Sequence, residues 1–155
     1  MVNHRERYEL DEKDRQILKI LVNNARTPFS KIARILGLSE ASVYVRIRKL
    51  EKAGILRGYT ANIDLSKLGY NVRALIMLKL KPENYREALD MLKKLPNAVE
   101  IYEITGEYHV ILKVIARSNE ELSEFIDRLG AIPGILETQT QYVLRVIKEE
   151  SSFII

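Results

Sequence analysis

The chain has 155 residues, 46% hydrophobic and 30% charged, which suits one sizeable domain or two small ones and excludes a disordered chain. The absence of cysteine excludes disulfides, thiolate metal sites and cysteine nucleophiles, and no apolar run is long enough for a signal peptide core or a membrane span. The net charge of +4 is uneven, since residues 1–60 hold 13 Lys/Arg against 7 Asp/Glu and residues 61–155 hold 12 against 14. We expect a cytoplasmic protein whose basic front half meets a polyanion.

Three helices are predicted in the front half, each with its own boundary signals. Asp11 is predicted to cap the first helix, because its carboxylate can accept a backbone N–H in the first turn. Thr27 is predicted to cap the second, with Pro28 at the first helical position. Gly37 ends that helix in the left-handed conformation, and Ser39 caps the third.

The second and third helices carry the spacing A-x3-G-x5-V, at Ala33, Gly37 and Val43. Ala33 is small enough for two helices to cross closely, and Val43 faces inward. This spacing is typical of a helix-turn-helix, in which the helix after the turn is presented to the DNA major groove. We therefore expect the chain to bind double-stranded DNA.

The third helix, from about Glu40 to Ala53, has an apolar side and an opposite side of small and cationic residues. Small side chains allow close approach to a duplex, hydroxyls bond base edges or phosphates, and cations reach phosphates. Arg46 flanks the apolar side, where it either reaches phosphate or lies over the edge of the core. The predicted DNA-binding residues in and around this helix are Arg26, Ser39, Ala41, Ser42, Tyr44, Val45, Arg46, Arg48, Lys49 and Arg57.

The segment that follows is predicted to connect two domains. Residues 55–64 are expected to form a short strand at a winged end of the first domain, and Leu65–Tyr70, with Gly69, a hinge. The predicted organisation is a helix-turn-helix domain at 1–60, a linker strand and hinge at 61–70, and a second domain at 71–155.

The second half alternates between strand and helix periodicity. Strands are predicted at 72–80, 99–105, 110–116 and 136–147, with one helix begun by the pair Asn84 and Glu87 and another by a capping box of Ser118 and Glu121. The order βαββαβ is that of a ferredoxin-like unit, so the fold class is α+β, with an N-terminal winged helix-turn-helix domain before it.

Two helices can cover only one face of a four-stranded sheet. The other face is predicted to carry apolar residues: Leu75, Met77, Tyr102, Ile104, Ile111 and Ile115. Because such a surface must meet something, we expect a homodimer in which two sheets pack and two recognition helices read two half-sites.

The combination resembles the Lrp/AsnC family of leucine-responsive and asparagine-responsive transcription regulators, from about Leu10 to Ile147. The matching stretches are Leu10-Asp11, Gly37-Leu38-Ser39, Arg46-Ile47, Leu50-Glu51, Gly54-Ile55-Leu56, Gly58-Tyr59 and Thr105-Gly106-Glu107-Tyr108.

The resemblance implies a transcription regulator whose rear domain forms dimers and assemblies of dimers such as octamers. It implies a small-molecule effector, often an amino acid, bound near contacts between dimers. The residues implied at that site are Thr105, Gly106, Glu107, Tyr108 and His109, with Thr138 and Thr140 of the last strand opposite. The chain departs from many members in having His109 where they have Asp, so the effector's identity stays open, as does a purely structural role for Gly106 and Tyr108.

Signals for catalysis are weak, and we expect no enzyme, no catalytic residue, no metal and no cofactor. The two histidines, His4 and His109, are isolated, and the sequence holds neither a Gly-rich phosphate loop nor a metal-spaced cluster. Two alternatives remain open: an architectural DNA-compacting protein with the same basic front, and a tetrapyrrole-pathway decarboxylase of similar architecture.

Overall fold

A computed structural model describes residues 8–149 of the chain, so His4 and the outer ends of both predicted domains lie outside the described residues. The chain divides between Asn62 and Ile63 into two compact units, the second spanning Ile63–Lys148. The division falls inside the linker that the sequence predicts. No helix among residues 8–149 is long and apolar enough to cross a membrane.

Between residues 8 and 62 the first unit contains three helices: α1 is Glu12–Asn23, α2 is Phe29–Leu36 and α3 is Glu40–Lys52. One apolar residue in every three or four on each helix faces the same centre, which is the pattern of three amphipathic helices around one core. The buried core residues are Ile17, Leu18, Leu21, Ile32, Ala33, Leu36, Val43, Ile47 and Leu50.

Three of the five predicted boundary residues behave as the sequence indicates, whereas Thr27 does not and Pro28 lies at the N-cap of α2 instead of its first helical position. The Asp11 carboxylate accepts the backbone N–H of Asp14, Gly37 ends α2 at φ 64°, and the Ser39 hydroxyl accepts the N–H of Ser42. The prediction for Thr27 is wrong. Its hydroxyl donates to the carbonyl of Asn24 instead, and the carbonyl of Pro28 begins the bonding of α2.

The predicted strand at 55–64 is also wrong, because this segment contains no strand. A strand needs a neighbouring edge to pair with, and the four strands within the described part of the chain pair only among themselves. The predicted wing is thus absent as a strand from the described residues of the single chain. The hinge contains a 3-10 turn at Leu65–Leu68, which Gly69 ends at φ 88°.

The second unit has the predicted order βαββαβ. Its strands are β1 Val72–Leu80, β2 Ala98–Glu103, β3 Val110–Ala116 and β4 Ile135–Tyr142, and its helices are α4 Tyr85–Leu92 and α5 Asn119–Gly130. They form one antiparallel sheet in the order β2-β3-β1-β4. The predicted fold class, α+β with a ferredoxin-like second domain, is confirmed.

The even-numbered residues of β1 and β3 face the two helices and form the second core with Phe125, Leu92 and Leu129. The odd-numbered residues lie on the other, open face, where Leu75, Met77 and Ile111 are half-buried in the single chain. Register places further residues beside them on that face: Tyr102, Gln139, Gln141, Lys113 and Glu100.

Two strand ends and two caps differ from prediction. β2 ends at Glu103, before the loop, and β4 ends at Tyr142, which pairs with Ala74, although the N–H of Val143 still donates to the carbonyl of Arg73. Asn84 lies at the N-cap of α4 without capping through its side chain. Ser118 does cap α5, but the Glu121 carboxylate accepts the N–H of Arg117 rather than that of Ser118.

Candidate nucleic-acid interface and effector loop

The outward side of α3 borders an open cleft of about 510 Å³. It is lined from α3 by Ala41, Ser42, Val45 and Lys49. Each of the others lies three or four residues from Val45, as expected of one helix face. Val45 is 49% exposed although it is apolar. Exposed small, apolar and cationic groups with the half-buried hydroxyl of Ser42 in one stripe match what base edges and phosphates present to a groove-bound helix.

The start of α3 is suited to an anion. Ser39 caps the helix, and the first backbone N–H groups of a helix carry partial positive charge that favours phosphate. Tyr44 lies on the adjacent stripe, 51% exposed, with its ring 6.2 Å from that of Phe29. Packing against Phe29 therefore holds the Tyr44 ring near the N-terminal end of α3.

Arg48 and Lys49 are both exposed on α3. Arg48 Nη1 lies 2.8 Å from the Glu51 carboxylate, and Glu51 also accepts the hydroxyl of Tyr59 at 3.1 Å. An exposed pair of this kind contributes little to stability, so Arg48 can exchange it for a phosphate.

Five of the predicted residues do not line this cleft: Ser39, Tyr44 and Arg48 belong to α3 or its N-cap, and Arg26 and Arg57 lie outside that helix. Arg26 is exposed in the turn after α1, where its backbone N–H donates to Asn24. Arg57 lines a different cleft, which it shares with Leu21 and Tyr59.

Arg46 has a different environment from its neighbours on α3. Its Nη1 lies 2.6 Å from Asp11 Oδ2 and 2.8 Å from Asp14 Oδ1, so two carboxylates of α1 and its N-cap hold it. Both acids raise the pKa of Arg46, and the Asp14 N–H and then Arg46 lower the pKa of Asp11. The contacts of Arg46 with Asp11 and Asp14 could not be predicted from the sequence, because partners 35 and 32 positions apart leave no local signal.

In the second unit, the loop between β2 and β3 meets the end of β1 on the open face. Gly106 has φ 118°, a conformation that other residues rarely adopt. The turn brings Glu107 Oε1 to 2.7 Å from Lys79 Nζ, and the Tyr108 ring lies 5.3 Å from the same ammonium.

Glu137 of β4 completes this cluster. Its carboxylate accepts the Tyr108 hydroxyl at 2.8 Å and the Lys79 ammonium at 3.2 Å, and these contacts lower the pKa of Glu137. The pKa of Lys79 is raised, first by Glu107 and then by Glu137. The cluster of Lys79, Glu107, Tyr108 and Glu137, which we call the loop cluster, combines both signs of charge and a phenol at the sheet end.

The predicted partners Thr138 and Thr140 are not part of the loop cluster. Register pairs Thr138 with Leu78 and Thr140 with Ile76, so both lie on the helix-covered face, whereas Glu137 pairs with Lys79 on the open face. In the single chain they therefore lie on the other side of the sheet from the loop cluster, and their predicted effector role stays a prediction. Glu137 was missed because only the pairing register distinguishes it from its neighbours.

His109 points away from the loop cluster. Its Nδ1 accepts the backbone N–H of Leu80 at 3.0 Å. The centroids of the His109 and Tyr85 rings lie 6.3 Å apart, in an edge-to-face arrangement. Thr105 and Gly106 are exposed in the turn itself. Within residues 8–149, the acidic residues and His109 form no group of three or more that could hold a metal ion.

Two family models match the chain, one over the three helices of the first unit and one over the second unit. The AsnC-type helix-turn-helix domain matches residues 10–51, and the Lrp/AsnC ligand binding domain matches residues 73–153. Among curated relatives, the HTH-type transcriptional regulator FL11 of Pyrococcus horikoshii is 43% identical over 92% of this chain and 95% of its own length. The HTH-type transcriptional regulator LrpA of the same organism is 36% identical over 90% and 99%.

Solved structures agree. AsnC of E. coli is similar with a TM-score of 0.88 and 34% identity, covering 94% of this chain and 99% of that one. The transcriptional regulator NMB0573 of Neisseria meningitidis, solved as a complex with L-Met, has a TM-score of 0.88 at 27% identity, covering 94% and 96%. Both halves of the chain, and their order, are thus shared with these proteins.

Proposed function

The chain belongs to the Lrp/AsnC family of DNA-binding transcription regulators, and on this premise we propose that α3 reads duplex DNA while a small molecule at the loop cluster adjusts the assembly that presents it. The observation that carries the DNA-binding part is the division of α3. Val43, Ile47 and Leu50 are buried against α1 and α2, which leaves the small and cationic side outward. The action proposed needs binding alone and no catalytic step.

In this proposal phosphate and base contacts come from different residues. Arg48, Lys49 and the start of α3 at Ser39 bind phosphates, with Arg26 and Arg57 reaching the backbone further out. The residues proposed to approach base edges are Ala41, Ser42 and Val45, whereas the Tyr44 hydroxyl is proposed to reach phosphate. Arg46, held by two carboxylates, is not included among these contacts.

A second copy of the chain is proposed to cover the open face of the sheet. Leu75, Met77 and Ile111 on this face are half-buried with no helix over them, which supports a sheet-on-sheet dimer. Assemblies of such dimers, up to an octamer, would bring several copies of α3 onto one DNA, so that effective concentration amplifies weak single contacts. We propose that this assembly acts in the cytoplasm.

The proposed effector is a molecule of the amino-acid class. The Neisseria regulator was solved with L-Met, and the loop cluster here brings an ammonium from β1, carboxylates from the loop and from β4, and a phenol from the loop to one place. An α-amino group can pair with Glu137 or Glu107 and an α-carboxylate with Lys79. Thr105 and Gly106 would contribute from the turn, whereas Thr138, Thr140 and His109 face elsewhere. Binding that favours one assembly over another would change the spacing of the reading helices.

The first test is DNA selection. Duplexes enriched by the purified protein from a random pool should bind at least about tenfold more tightly than unselected duplexes of equal length at the same salt concentration. Equal affinity for both would favour the DNA-compacting alternative and contradict sequence-specific regulation.

The second test addresses the effector and the enzyme alternative together. Molecular mass in solution is measured with and without a panel of the standard amino acids, and we expect at least one to change the assembly. Lys79→Met should abolish that change. A protein that ignores every amino acid but develops an absorption band with added tetrapyrrole would favour the decarboxylase.

A further inference from the structure

The strongest unexplained contact in the first unit joins α3 to the start of α1. Arg46 Nη1 bridges Asp11 Oδ2 at 2.6 Å and Asp14 Oδ1 at 2.8 Å. The other oxygen of Asp14 accepts the Tyr8 hydroxyl at 3.0 Å and the Asp11 backbone N–H at 3.3 Å. Both oxygens of Asp14 are therefore occupied by donors of known position.

Because the Asp14 carboxylate is buried, the bridge to Arg46 differs from an ion pair on the surface. The Asp14 side chain is 2% exposed and the Arg46 side chain 27% exposed. A buried carboxylate deprived of its cation is strongly unfavourable, so the pair holds more firmly than an exposed one such as Arg48–Glu51. Asp14 itself lies on the buried side of α1 and cannot follow Arg46 outward.

The bridge lies within one turn of the residues proposed to read bases. Arg46 shares its cleft with Ser42, four residues before it, and Lys49, three residues after it. The apolar contacts of Val43 and Ile47 hold the inner side of α3, but apolar packing is non-directional. A directional bond at position 46 adds a constraint on the roll of the helix about its own axis.

A small roll of α3 about its own axis is enough to disrupt contacts between its side chains and base edges. At the helix surface, about 5 Å from the axis, a roll of about 15° moves a side-chain tip by about 1.3 Å. That displacement exceeds the roughly 0.5 Å range over which N–H···O hydrogen bonds form. Phosphate contacts by long cations tolerate such a shift, whereas contacts to base edges do not.

We propose that Arg46 is a positioning residue for DNA recognition, which sets the roll of α3 through Asp14 and Asp11 and thereby fixes which base edges Ser42 and Val45 meet. It contributes to discrimination between sequences rather than to the number of phosphates bound. This inference rests on the proposed DNA binding by α3, and it opposes the expectation from sequence that Arg46 is a phosphate contact.

The two roles give different salt dependence. Replacing a side chain that binds phosphate lowers the slope of log affinity against log salt by about 0.9 for each DNA-bound helix. Replacing a positioning residue leaves the slope unchanged, while the affinity ratio of selected to random duplex falls by about tenfold, the discrimination that one good base contact supplies. Arg48→Met is the matched control for Arg46→Met, because it makes the same substitution on the same helix at an exposed site. It should lower the slope and keep the ratio.

Asp14→Asn provides a test of opposite sign. If Arg46 is held back from phosphate by its acids, removing a negative charge beside the DNA should tighten binding to both duplexes and preserve the ratio. If Arg46 positions α3, the substitution weakens the bridge and lowers the ratio. The isosteric amide keeps the shape of Asp14, so this variant tests the proposal even where Arg46→Met fails to fold.

The experiment uses the full-length chain, with a duplex selected by the wild-type protein, a random duplex of equal length and a salt series. Measurements are made where the far-UV circular dichroism of each variant matches the wild type. A lowered slope with Arg46→Met, or an unchanged or raised affinity with the ratio kept in Asp14→Asn, overturns the positioning role. A wild-type protein that enriches no duplex would instead refute the proposed DNA recognition itself.

Discussion

Replacing Gly134 with alanine is expected to destabilise the second unit by about 2–5 kcal/mol, the sum of a positive-φ cost of about 1–2 and an overpacking cost of about 1–3 kcal/mol. Gly134 has φ 92°, and an added Cβ would lie 2.4 Å from Asn84 Cβ and 3.6 Å from Asn84 Cα. Because Cβ is fixed to the backbone at the start of α4, Asn84 cannot rotate away. The turn after Ile132 must therefore separate from α4 or strain its backbone.

Gly106→Ala is the matched control. Gly106 has φ 118° but an added Cβ would meet nothing within 4 Å, so only the positive-φ cost of about 1–2 kcal/mol applies. Both variants and the wild type are unfolded with urea at equal protein concentration, since association shifts the apparent stability. If the two variants were destabilised equally, the contact with Asn84 would contribute nothing to the cost of Gly134→Ala, and the expected overpacking would be refuted.

Three further outcomes are expected. Ser39→Ala should cost about 1 kcal/mol of helix-turn-helix stability, measured by thermal unfolding, because α3 loses its N-cap bond; an unchanged stability would mean that the cap is not made in solution. Glu137 has a lowered pKa, so the bonds it accepts stabilise the fold above its ordinary pKa of 4.5 and are lost as the pH falls through the lowered value. NMR titration should place its midpoint below 4.5, and Lys79→Met should raise that midpoint, whereas an unmoved midpoint would contradict the Lys79 contact. Met77→Glu should shift the sedimentation of the protein toward the monomer by placing a charge on the open sheet face; an unchanged mass would show that this face is not the interface.

Local signals in the sequence were sufficient for most of the fold. Asp11, Gly37 and Ser39 are caps whose partners lie within a few residues, and the alternation in β1 shows directly which side chains share a face. The predictions that were wrong needed information from elsewhere in the chain. The strand predicted at 55–64 has β-forming residues but finds no pairing edge, and β4 is shorter than predicted because its pairing with β1 extends only to Ala74 and Tyr142.

The candidate sites likewise combine features that local sequence predicts with features that depend on distant parts of the chain. The outward stripe of α3 follows from a 3.6-residue period, so Ser42, Val45 and Lys49 were predictable as neighbours. The side of β4 that meets the loop depends on its register, which shifts between Lys79 and Leu80, and a change of one residue moves every side chain to the other face. The β4 residue that contacts the loop, Glu137, was therefore not predictable from the sequence.

The amino-acid sequence by itself determined the helices, the strands, their order and the chemical character of α3, because periodicity and caps act between residues close in the chain. Only the tertiary structure decided that Arg46 is bound to carboxylates 32 and 35 positions earlier and that Glu137 completes the loop cluster. These partners are brought together by the packing of whole elements, and the free energy of that packing comes from core residues that do not themselves belong to either site.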